Sequence, residues 1–302
     1  MASNELLKLA AAPLELLLAP TAGGAIARFD RSVDGHSLPV LRGCDGEPQN
    51  SLETGSFPLV PFVNRVRGGA FTFRGREIRL TPNHPGDPSP LHGQGWQAPW
   101  EVRSAGEAEA ELVFRHEAGE WPWAYEARQV FALDPAGLSL SLSCRNLSDE
   151  PMPCGLGQHP YFPCTSDTRI DTEVTHVWTI DEHVLPVEKI PATRRYDLKG
   201  RPACGQDLDH GFGGWGRRAR IWTPGTDFEI EMSSPQARFF QLYSPSSGGL
   251  FVAEPVTYAN AALNAPESEW PSLGLQVLDP QEEMRLDMRL DMRLDVRPRP
   301  SP

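Results

Sequence analysis

Strict two-residue alternation recurs along this chain and constrains its fold more than any other feature. The clearest run is Leu138-Ser-Leu-Ser-Leu-Ser-Cys144, which sets leucines on one face and serines on the other. Phe228-Glu-Ile-Glu-Met232 repeats the pattern, with its carboxylates expected to face water. Phe71–Leu80 reads as two short strands reversing near Gly75. Further strands are expected at Glu111–Phe114, Arg128–Leu133, Ala219–Thr223 and Phe239–Tyr243. No helix longer than about three turns is expected, and 27 glycines and 30 prolines are far too many for long helices but suit a protein of tight turns. Strands joined by short turns, without intervening helices, predict packed antiparallel sheets: an all-β, large antiparallel sandwich with little helix.

At 302 residues the chain could hold two domains, yet no linker divides it. One domain over 1–302 is expected, ending in a repetitive tail at about 284–302. There Met-Arg-Leu-Asp occurs three times, starting at Met284, Met288 and Met292. A four-residue period suits a helix, while alternation suits a strand with Met and Leu on one face. The strand reading predicts an extended edge strand or a loose tail, and Pro298–Pro302 a frayed end.

A formal net charge of −12 without a Lys/Arg cluster argues against nucleic acid as a partner. Cys44, Cys144, Cys154, Cys164 and Cys204 are odd in number and form no C-x-x-C pair, which implies neither a disulfide framework nor a zinc site. Glu5, Lys8 and Glu15 interrupt the leucine-rich start, and no run reaches the ~18 apolar residues of a membrane span. Cytoplasm and a membrane-free existence, as monomer or homodimer, are therefore expected.

Six of the eight histidines sit in uninformative settings; His36 and His84 lie among turn residues. His92 and His159 differ, each embedded in glycine, proline and aromatic residues: Pro90-Leu-His-Gly-Gln-Gly-Trp96 and Gly155-Leu-Gly-Gln-His-Pro-Tyr-Phe162. Such walls suit sugars, whose C–H faces lie on aromatic rings while their hydroxyls need fixed polar partners. Glu254 closes an apolar strand, and a carboxylate there needs either a partner or a task. Asn64-Arg65 follows the apolar run Pro61-Phe-Val63. A buried structural histidine, a strand-ending ion pair and a surface arginine are the plain alternatives.

Taken together in this order, the four segments resemble the aldose 1-epimerase, or galactose mutarotase-like, family. Asn64-Arg65 with Gly69-Ala-Phe-Thr-Phe-Arg-Gly75, Leu91-His-Gly93, His159-Pro-Tyr-Phe162, and Glu254 with Asn260 and Asn264 carry the likeness. It implies Glu254 as general base and His159 as general acid. His92 and Arg65 would hold the sugar near its ring oxygen, with Asn64 supporting them and Asp209 binding a sugar hydroxyl. Gln94–Trp100 and the Pro255-Val-Thr after Glu254 depart from the galactose enzymes. The implied partner is a small sugar, and the implied chemistry is ring opening and closure without metal or other cofactor. Alternatives are a hexose-phosphate 1-epimerase with Arg67 or Arg74 at a phosphate, a glycoside hydrolase using Asp209 and Glu254, and a sugar-binding protein without catalysis.

Overall fold

The computed structural model describes residues 6–294. Two large antiparallel sheets dominate, and the expected all-β class is borne out. Across one sheet the order is Arg201–Pro202, Arg169–Thr172, Arg218–Trp222, Phe228–Ser233, Glu283–Leu294, Gly137–Asn146, Tyr125–Asp134, Glu109–His116 and Glu101–Ala105. The other runs Pro186–Pro191, His176–Ile180, Leu208–Gly213, Phe239–Ser244, Leu250–Val256, Gly157–Gln158 and Pro58–Leu59, with Tyr161–Pro163 also on Leu250–Val256. A smaller sheet of four strands spans Leu7–Leu41. Side chains of all three share one buried apolar cluster, which runs from Leu9 to Met292. The described α-helix is a single turn, Trp270–Leu273, and no helix among the described residues is long and apolar enough to cross a membrane.

The alternating segments explain these layers. Leu138, Leu140, Leu142 and Cys144 are buried, while Ser139 and Ser141 stand at the half-exposed face. The hairpin falls where expected, Ala70–Phe73 pairing with Arg76–Arg79. Its two-residue turn has φ of 50° at Arg74 and 77° at Gly75, the left-handed pair that matches strand twist.

Three expectations need correction. The Met-Arg-Leu-Asp repeat is a strand, but not an edge: Glu283–Leu294 lies between Phe228–Ser233 and Gly137–Asn146. Its Met284, Leu286, Met288, Leu290 and Met292 are buried on the face turned to the core. Pro298–Pro302 lies outside the described residues. Secondly, Glu231 does not face water; it is buried and accepts from Arg293 Nη2 at 2.7 Å, with Arg218 at 3.4 Å. Thirdly, the cysteines are not all thiols. Cys164, at the end of the Tyr161–Pro163 strand, is bridged to Cys204, whereas Cys44, Cys144 and Cys154 are free.

Candidate active site

The Leu91-His-Gly93 segment owes its shape to two left-handed residues. His92 has φ 59° and Gly93 φ 74°, and a Cβ on Gly93 would stand 2.1 Å from the Val60 carbonyl oxygen. Only glycine fits there. Asn64 is likewise left-handed, φ 57°, a conformation asparagine tolerates better than most residues. The two turns clasp each other: His92 N–H donates to Asn64 O at 3.0 Å, and Asn64 N–H donates to His92 Nδ1 at 3.1 Å. Because Nδ1 accepts, a neutral His92 carries its proton on Nε2.

Arg65 is equally constrained. Its Nε donates to Asp87 Oδ2 at 2.8 Å and its Nη1 to Asn64 Oδ1 at 3.2 Å. Its backbone N–H donates to Asn260 Oδ1 at 3.2 Å, and Asn264 holds the backbone of Arg67 and Ala70. Those two asparagines are anchors of the Asn64–Ala70 segment rather than cavity walls.

His159 and Glu254 come from neighbouring segments of one sheet, and His159 Nε2 lies 3.5 Å from Glu254 Oε1. Phe57 stacks on the His159 ring at 4.4 Å, and Tyr161 flanks it at 4.8 Å. The His92 ring meets His159 edge-on at 5.3 Å. Asp209 accepts from Gln241 Nε2 at 3.0 Å, and Gln241 lies directly across the ladder from Glu254. All six expected residues, Asn64, Arg65, His92, His159, Asp209 and Glu254, thus line one cavity of about 250 Å³. Phe57, His84, Tyr161 and Tyr243 line it too, and sequence reasoning missed them. Tyr161 was within reach, two residues beyond His159. His84 was set aside as a turn residue, yet the turn delivers it to the cavity wall.

Burial sets the electrostatics. It pushes Glu254 well above the usual carboxylate range; Asp209's charge adds to this and Arg65 opposes it. It pushes His159 down to about 3, with Arg42 helping. His92 is held well below 6.5 by burial first, then by His159, Arg65 and His84. Asp209 is raised by burial, against Arg65 and the Gln241 hydrogen bond. Burial also lifts Tyr161 to about 12, although Arg42, 3.8 Å over its ring, opposes this. Two polar atoms, His159 Nδ1 and Glu254 Oε2, are buried without a hydrogen-bond partner among the described residues. Such orphans are uncommon, and each calls for a partner such as a water or a ligand's polar group. No cluster of three or more His, Cys, Asp and Glu among the described residues is placed to hold a metal ion.

An imidazole and a carboxylate thus face each other in an aromatic-walled hollow on a β-sandwich. The chain belongs to the aldose 1-epimerase family, whose model it matches over residues 11–291. It is 33% identical to the uncharacterised protein YphB of Escherichia coli K12 over 257 residues, covering 81% of this chain and 86% of that one. A candidate aldose 1-epimerase from Escherichia coli K12 superposes with a TM-score of 0.88 at 31% identity, covering 96% of this chain and 99% of that one. A galactose mutarotase-like protein from Clostridium acetobutylicum shares the fold, with a TM-score of 0.83 at 19% identity over 95% and 94% of the two chains.

Proposed function

We propose that this protein interconverts the α- and β-anomers of a free aldose by acid–base ring opening and closure. The observation that carries the reading is the His159–Glu254 pair, 3.5 Å apart and buried in a cavity with an unpartnered polar atom on each residue. In the reactive tautomer the Glu254 carboxylate takes the proton from the C1 hydroxyl. The His159 imidazolium gives its proton to the ring oxygen, and the C1–O bond breaks. Rotation about C1–C2 and closure on the opposite carbonyl face reverse these transfers. Ring opening leaves Glu254 protonated and His159 neutral, the forms that burial favours. Burial therefore disfavours the reactive ion pair and returns both groups to their neutral forms as the ring opens. Neutral His92, with its proton on Nε2, is a hydrogen-bond donor beside the acid, and Asn64 and Asp87 hold Arg65.

A free sugar fits better than a hexose phosphate. Arg65 already faces Asp87, so its charge is spoken for. Arg67 turns to Asp181 and the Pro186 carbonyl, and Arg74 sits on the exposed hairpin turn. Neither lines the cavity. Exchange spectroscopy or polarimetry of freshly dissolved α-anomers, across aldoses and hexose phosphates, tests the reading. Acceleration of at least one free aldose and of no phosphate is expected; acceleration of phosphates alone would reverse the substrate assignment. The cytoplasm belongs to the same proposal; the Cys164–Cys204 bridge withdraws the unpaired cysteines that favoured it, and mass spectrometry after alkylation of whole cells shows whether the bridge is present there.

A further inference from the structure

Arg42 does not line the candidate active site, yet it holds two residues that do. Its backbone N–H donates to Tyr161 O at 2.8 Å, and Tyr161 N–H donates to Gly55 O at 2.8 Å. Its side chain bridges the same two segments. Nε donates to the Thr54 carbonyl at 3.0 Å, and Nη2 to the Leu52 and Thr54 carbonyls. The guanidinium carbon lies 3.8 Å from the centre of the Tyr161 ring. Leu52 and Tyr161 are both cavity residues, and Tyr161 packs on the His159 ring at 4.8 Å.

The charge of this arginine is uncompensated. Arg42 is half-buried and has no ion pair with a carboxylate among the described residues. Glu53, in the turn that Arg42 clamps, accepts from Gln49 N–H and Asn50 Nδ2 instead. A partly desolvated guanidinium without an anion is costly, and an aromatic face with two carbonyl oxygens offsets only part of that cost. The ionisable groups next to His159 are Glu254, His92 and Tyr161, with Arg65, His84, Asp209 and Tyr243 farther round the cavity. Burial favours the neutral forms of Glu254, His92 and Tyr161, and Arg65 is paired with Asp87. Arg42 has no such partner, and its charge reaches His159.

From these contacts we infer that Arg42 is a positioning residue for the proposed acid: it clamps the Leu52 and Tyr161 walls and holds a cation behind His159. Like charges repel, so the cation makes the imidazolium a stronger acid towards the ring oxygen. The effect on turnover rests on the anomerase reading and the effect on His159 does not, so the two are measured separately. Isotope labelling of the histidine rings in the full chain, with the His159 signal assigned from its loss in His159→Gln, follows the imidazole by NMR from neutral pH to acid unfolding. Arg42→Gln removes the charge, and His159 should then titrate at higher pH than in the wild type. Arg42→Lys keeps the charge but not the planar fork, and the titration should stay in place. Anomer exchange should lose about 10²-fold in kcat/KM in both variants, the scale of a group misplaced by about 1 Å. The acid limb of its pH profile should move to higher pH in Arg42→Gln alone. Equal titrations for wild type and Arg42→Gln would overturn the placed charge, and wild-type kcat and KM in Arg42→Lys would overturn the clamp. Circular dichroism checks that each variant is folded, and Arg42→Met serves as the uncharged variant should Arg42→Gln not fold. Anomer exchange absent from every protein, with the titrations as expected, would sink the anomerase reading and sustain the placed charge.

Discussion

Glu254 and His159 sit beside each other with their proton affinities pushed in opposite directions, and that opposition makes folding stability depend on pH with two distinct signs. His159, lowered from 6.5 to about 3 in the folded protein, contributes stability that is complete above about pH 6.5 and is lost as pH falls towards 3. Glu254, raised above 4.5, contributes stability that is complete below about pH 4.5 and is lost as pH rises through its folded value. Urea midpoints should therefore fall less for His159→Gln than for the wild type on acidification from pH 6.5. They should also fall less for Glu254→Gln as pH rises above 4.5. Parallel curves would show that burial does not shift these groups. Gln241 supplies a second expectation: as the donor to Asp209, its replacement by Leu should raise KM about tenfold, the loss of one hydrogen bond to a charged group. An unchanged KM would show that this hydrogen bond does not position Asp209 for the sugar. His92 and His159 stand out by their Gly, Pro and aromatic surroundings and Glu254 by closing an apolar strand, whereas the roles of Asn64, Arg65 and Asp209 come from the family resemblance. Gln241 and Asp87 were not legible: one meets Glu254 only through strand register and the other reaches Arg65 across a loop, and neither relation leaves a local trace.

At the scale of elements, the Glu283–Leu294 strand bears the most weight. It pairs on both sides, and Leu286 and Leu290 are fully buried. Leu286→Ala should cost about 2–5 kcal/mol, the range for emptying a buried leucine site, read from denaturant midpoints. A loss under about 1 kcal/mol would place the repeat at an edge after all. A slip of four residues would keep every Met and Leu inward, so alternation alone leaves the register open. The ion pairs of Arg289 with Asp134 and Arg293 with Glu231 do not close that freedom, since a slip of four brings another arginine to each place; the non-repeating turn before the strand does, with Asn146 N–H donating to Glu282 O at 3.0 Å and Gln281 N–H to Asn146 O at 2.9 Å. The alternation was readable in the sequence, but neither the strand's place in the sheet nor its register was, since both depend on partners more than fifty residues away. The Cys164–Cys204 bridge was hidden for the same reason, its ends 40 residues apart and its connectivity absent from spacing alone. Replacing both by Ser should lower stability by about 2–4 kcal/mol. Equal midpoints for oxidised protein and variant would show that the bridge does not constrain the chain.

For the whole molecule, the sandwich and the cavity are one construction. The described core is a continuous cluster from Leu9 to Met292, and we propose that the chain folds as one unit. The cavity draws Asn64 and His92 from loops, His159 from the segment between two short strands, and Asp209 and Glu254 from strands of one sheet. Residues far apart in sequence converge there only when that sheet and the loops packed on it are folded, so sugar binding and folding should be lost together on heating. The sandwich class was legible because alternation is a local signal repeated many times. What the whole arrangement claims is that a buried carboxylate moves a proton at the anomeric centre. Anomer exchange by NMR, with sugar affinity measured alongside, compares the wild type with Glu254→Gln on a free aldose. Turnover should fall by roughly 10²–10⁴-fold while the sugar still binds; exchange as fast as in the wild type would contradict the account.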